Sequence, residues 1–129
     1  MGLSIQQETG RPNSVTMVLA GQIDGGASAK LDQEIGTILR QGTRTIILDM
    51  AGVDFMSSAG VGVIMKAKTS LTARNGDLAT IHLQPQVEKV FEIMALLPAM
   101  NVVKNTEELD EYLAKVQRRM TEDGSFSDD

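Results

Sequence analysis

Three consecutive apolar residues, Ile46-Ile47-Leu48, constrain this chain more than any other feature. A strand with one face in water alternates apolar and polar side chains, whereas an unbroken apolar run marks a strand covered on both faces or held centrally in a sheet. The run leads through a turn expected at Asp54-Phe55-Met56 into Ser57-Ser58 and the small residues Ala59-Gly60-Val61-Gly62. From there Val61, Ile64, Met65 and Leu71 share one helical face, which predicts a helix over about residues 58–74 that ends at Asn75-Gly76. A buried strand feeding a helix is half of a crossover unit, because parallel strands are joined by helices and such crossovers are right-handed.

The rest of the chain extends this alternation. Leu3 and Ile5 suggest a first strand, Val15, Met17 and Leu19 a second, and Gly10-Arg11-Pro12-Asn13 a hairpin turn between them. After Asp24-Gly25-Gly26, residues Ala27, Leu31, Ile35, Ile38 and Leu39 fall on one helical face, and Gly42 stops the helix after Arg40. A fourth strand is predicted at Leu78, Thr80, Ile81 and Leu83. Pro85 then opens a helix at its favoured first position, with Val87, Val90, Phe91 and Met94 inward and an end at Leu97-Pro98. Val102-Val103 reads as a short strand. A last helix starts near Thr106, with Glu107, Glu108 and Asp110 early and Arg118 and Arg119 late, as the helix dipole favours; its apolar face is Leu109, Leu113, Val116 and Met120. The expected fold class is α/β, one domain over residues 1–120 with a mixed sheet of four to five strands and about four helices packed against it. Residues 121–129 carry four carboxylates and one aromatic, which cannot form a core, and are expected to be a disordered acidic tail.

Composition narrows the function classes. The chain has 129 residues, enough for one core. It has no Cys, which removes disulfides, thiolate zinc sites and cysteine nucleophiles together and fits a reducing cytoplasm. A net charge of −5 with no basic patch weighs against nucleic-acid binding. No signal peptide is expected, and no apolar stretch approaches the roughly 20 residues that span a bilayer. His82 is the one histidine, and no nucleophile–base pair is evident, so an enzyme is not expected. Asp24, Asp49 and Asp54 lie at or beyond strand ends and in principle suit Mg²⁺, but Asp is a routine turn former, so no metal or cofactor is expected. Gly25-Gly26 and Gly60-x-Gly62 match neither the Walker loop nor the full dinucleotide fingerprint.

Ser57 and Ser58 stand where a helix should begin. Backbone N–H groups there lack intrahelical partners and the macrodipole adds positive character, so a phosphate on either serine would be tolerated. The plainer reading is that serine is a favoured N-cap and glycine permits close packing.

The strand, the Asp-Phe-Met segment, the Ser-Ser pair and Ala-Gly-Val-Gly-Val resemble the central signature of the STAS family, the sulfate transporter and anti-sigma factor antagonist domains. Ala20-Gly21-Gln22-Ile23-Asp24 resembles the family's second motif, and the likeness covers about residues 3 to 118. Within the family the chain looks like the stand-alone bacterial anti-sigma factor antagonists. That resemblance implies phosphorylation on Ser58, with Ser57 as second candidate, and a partner surface of Asp24, Met56, Ser57, Ser58, Ala59, Gly60, Val61 and Gly62. Met56, Val61 and Val63 are the candidate apolar contacts. It also implies two partners, a serine kinase and anti-sigma factor with a histidine-kinase-like ATPase fold and a PP2C-type phosphatase. The alternative is a constitutive STAS subunit of a signalling assembly or membrane transporter, with Ser58 merely capping. The chain departs from the family pattern at Ser57, where many members have Asp, and at Ala59, where many have Ser or Thr.

Overall fold

The computed structural model describes residues 2–94, 102–103 and 107–115. Strands β1 (Ser4–Thr9) and β2 (Ser14–Ile23) form the expected antiparallel hairpin, whose turn places Asn13 at φ 61°. Then follow α1 (Gly25–Arg40), β3 (Thr45–Met56), α2 (Ser58–Thr72), β4 (Asp77–Ile81), α3 (Pro85–Ile93), β5 (Val102–Val103) and a helix over residues 107–115, here α4. The five-stranded sheet is ordered β1-β2-β3-β4-β5, and every pair after the hairpin is parallel.

Two layers of side chains account for the apolar run that opens β3. Ile46 and Leu48 join Met17, Leu19 and Leu78 in the larger core, against Leu31, Ile35 and Ile38 of α1, Val61, Ile64 and Leu71 of α2, and Val87 and Phe91 of α3. Ile47 points the other way, with Ala79 and Ile81, against the half-buried Leu109, Tyr112 and Leu113 of α4. A strand covered on both faces reads as a near-continuous apolar run; β4 is likewise buried at all five residues, with its polar Asp77 paired to Lys68.

Several expectations shift. The Asp54-Phe55-Met56 turn is strand, because β3 continues along β2 to Met56. That extension carries two irregularities: Met50 and Ala51 together oppose Leu19, and Asp54 has no opposite residue between the pairs Gly21↔Val53 and Gln22↔Phe55. Each extra residue adds local twist and re-aims the strand. The strand β4 ends at Ile81, so His82 and Leu83 lie beyond it, and His82 takes a left-handed φ of 63°. Met94 is exposed rather than inward, since α3 ends at Ile93. Val116, Met120, the Leu97-Pro98 helix end and the 121–129 tail lie outside the described residues.

Candidate functional site

The two long inner strands end level with each other, and a helix leaves each end. Ile23 of β2 pairs with Met56 of β3, and the Ser57 N–H donates to the Ile23 carbonyl at 2.9 Å. That bond sets the starts of α1 and α2 side by side. Asp24 is the N-cap of α1: its Oδ1 accepts from the Ala27 N–H at 2.9 Å, and its carbonyl accepts from the Ser28 hydroxyl at 2.6 Å. Ser57 is the N-cap of α2, and its Oγ accepts from the Gly60 N–H at 3.1 Å. A neutral hydroxyl therefore does the work that an Asp does equally well, since both are strong N-cap residues.

Ser58 is different. It occupies the first helical position of α2, is exposed, and its hydroxyl bonds to no described residue. Asp24, Ala59 and Gly62 are exposed with it, and Ser57 is half-buried. Three of the expected surface residues lie beneath that surface instead: Met56 is 5% exposed, Val61 1%, and Gly60 is buried. A Cβ on Gly60 would come within 2.6 Å of Ile23 Cγ2 and 2.7 Å of Met56 Sδ, so this glycine is what lets α2 sit on the strand ends. Val63, the third expected apolar contact, is half-buried. Phe55, by contrast, is 47% exposed at the end of β3 and stands outside the surface that the family resemblance implies.

The other strand-end acids are not drawn into one cluster. Asp49 faces His82, Oδ1 to Nδ1 at 3.1 Å, and also accepts from the Ala51 N–H at 3.1 Å. Asp54 is exposed on the strand as the unpaired residue of the second bulge. Among the described residues no three His, Asp or Glu side chains stand close enough to share a metal ion, and no helix is long and apolar enough to cross a membrane.

An antiparallel hairpin leading a parallel sheet, with an exposed serine at the level where two helices start, defines the fold and the site. The chain belongs to the STAS domain family, whose profile matches residues 6–109. It is similar to the anti-sigma F factor antagonist of Lysinibacillus sphaericus, 31% identical over 99 residues that cover 76% of this chain and 85% of the relative. Its fold matches the solved structure of the anti-sigma factor antagonist SpoIIAA in its unphosphorylated form, with a TM-score of 0.75, 29% identity and coverage of 88% of this chain and 96% of that one. The phosphorylated form of the same Bacillus protein matches at a TM-score of 0.68 and 29% identity, over 88% of this chain and 99% of that one.

Proposed function

We propose that this STAS domain is an anti-sigma factor antagonist: unphosphorylated, it docks on a serine kinase that is also the anti-sigma factor and frees the sigma factor; phosphorylation of Ser58 ends the docking. The role is regulatory rather than catalytic. One observation carries the choice of serine. Ser58 stands exposed with a hydroxyl that bonds to no described residue, while Ser57 is half-buried and its hydroxyl caps α2. The names and phosphorylation states of the relatives support the same reading.

The switch follows from charge. A phosphate brings about −1.5 to −2 charges to the first turn of α2, where unpaired N–H groups and the helix dipole favour an anion, so the helix survives modification. Burying that group against a partner costs several kcal/mol unless a cation meets it, so the modified form leaves. A PP2C-type phosphatase would return the docking form. The test is incubation with ATP and the cognate ATPase of histidine-kinase-like fold, followed by intact mass and site mapping. One phosphate on Ser58 is expected. Label on Ser57, or no label, overturns the assignment.

A further inference from the structure

The first bulge of β3 is held by side chains from outside β3 as well as within it. Ala51 has no partner residue on β2, because Met50 and Ala51 together oppose Leu19, and β4 stops pairing with β3 at Asp49. An exposed bulge residue leaves its backbone N–H and C=O to water unless side chains take them. Here both are taken. The N–H donates to Asp49 Oδ1 at 3.1 Å, and the carbonyl accepts from Gln84 Nε2 at 2.6 Å. Each of those side chains is itself held: Asp49 Oδ1 by His82 Nδ1 at 3.1 Å, and Gln84 Oε1 by Gln86 Nε2 at 2.8 Å.

Gln84 shows what this arrangement sets aside. It is the N-cap residue of α3 but makes no side-chain cap bond; its amide reaches across to β3 instead. His82 sits in the left-handed region at φ 63°, a conformation that non-glycine residues adopt rarely and that directs the chain from β4 toward α3.

We infer that Asp49, His82 and Gln84 form a clamp on Ala51 that positions Ser58, which makes them positioning residues for the docking and modification surface. The geometric link is the register of β3. Beyond the bulge, Gly52, Val53, Phe55 and Met56 pair with β2 and, among the described residues, with no other strand; this pairing sets Met56 opposite Ile23 and brings Ser57 to the Ile23 carbonyl. Gly52 sits at the exit of the bulge so close to β2 that a Cβ there would lie 2.8 Å from Ala20 Cβ, so the register beyond it has little slack. If the bulge residue slips back into the ladder, every later β3 side chain changes face, because the strand period is two. The functional half of this inference rests on the proposed role of Ser58; the structural half does not.

The test reads both halves separately. Amide hydrogen exchange is measured on the wild type, Asp49→Ala, Asp49→Asn and Gln84→Glu, alongside the rate of phosphorylation by the cognate kinase. Asn keeps an oxygen for the Ala51 N–H, whereas Glu at position 84 removes the donor and places a carboxylate against a carbonyl. Gln84→Glu and Asp49→Ala are expected to speed exchange at Ser57 and Gly60 by about tenfold, the effect of losing one or two net hydrogen bonds, with Ile46 and Leu48 unchanged. Asp49→Asn should behave as wild type. Phosphorylation should slow in the same two variants and recover in Asp49→Asn. Exchange that rises only at Ala51, or rises equally throughout the sheet, overturns the positioning role. Unlabelled wild type with the expected exchange pattern overturns the Ser58 reading and leaves the clamp standing.

Discussion

Gly60 and Gly62 stand two residues apart in α2, one on the inward face of its first turns and one on the outward face. A Cβ on Gly60 would strike Ile23 and Met56 at 2.6–2.7 Å, whereas nothing lies within 4 Å of one on Gly62. The inward face, with Val61 and Ile64, is fixed by packing on the ends of β2 and β3. The outward face of Ser58, Ala59 and Gly62 meets no internal demand. Glycine inside a helix costs about 0.5–1 kcal/mol relative to alanine, so Gly62 carries an expense the fold does not need. Packing explains the first glycine; the proposed close approach of a partner explains the second.

Substitutions at four positions separate the faces, from the largest expected effect to the smallest. Ser58→Ala should abolish phosphate incorporation while thermal unfolding stays where it was, because the hydroxyl bonds to no described residue; residual label on Ser57 in site mapping breaks the distinction between the two serines. Gly60→Ala should destabilise by about 1–3 kcal/mol through overpacking, seen as a lower urea midpoint with an unchanged slope. A neutral result there means that α2 can lift off the strand ends and that the inward face is softer than its contacts imply.

Ser57→Ala removes the cap of α2 and should cost about 1 kcal/mol, while Ser57→Asp restores a strong cap and should return stability to the wild-type value. Isothermal titration against the cognate kinase sharpens the comparison here: Ser57→Asp should keep most of the affinity, and Ser58→Asp should lose much of it. The smallest change is expected for Gly62→Ala, a gain of about 0.5–1 kcal/mol in stability together with weaker kinase binding. A gain in stability with unaltered affinity would leave Gly62 without a function and return the outward face to plain surface.

Much of the fold was legible because local chemistry dictates it. The hairpin turn at Gly10 to Asn13, the helical face from Ala27 to Leu39 and Pro85 at the first turn of α3 all fell where period and turn residues placed them. The end of β3 did not. Asp54 is a turn former, and the Asp54-Phe55-Met56 segment reads as a turn where the chain is strand. A signal was present: the inward residues of β3 run Ile46, Leu48, Met50 and then Val53 and Met56, a spacing that stretches from two to three as the bulges enter. The pairing of His82 with Asp49 at 3.1 Å depends on a strand alignment that neither residue's neighbours record.

The sequence by itself determined that this is an α/β domain, that helices begin after Asp24 and near Ser57-Ser58, and that the apolar start of β3 is either covered on both faces or central in a sheet, since each follows from residues close together in the chain. Tertiary structure decided the rest. Which serine caps α2 and which stands free depends on where β3 stops, and β3 stops where its pairing with β2 brings Met56 level with Ile23. Which glycine is core and which is surface depends on the direction α2 then takes across Ile23 and Met56. Both are contacts between segments more than thirty residues apart, and hydrogen-bonded register, unlike periodicity, is a property of two strands rather than of one.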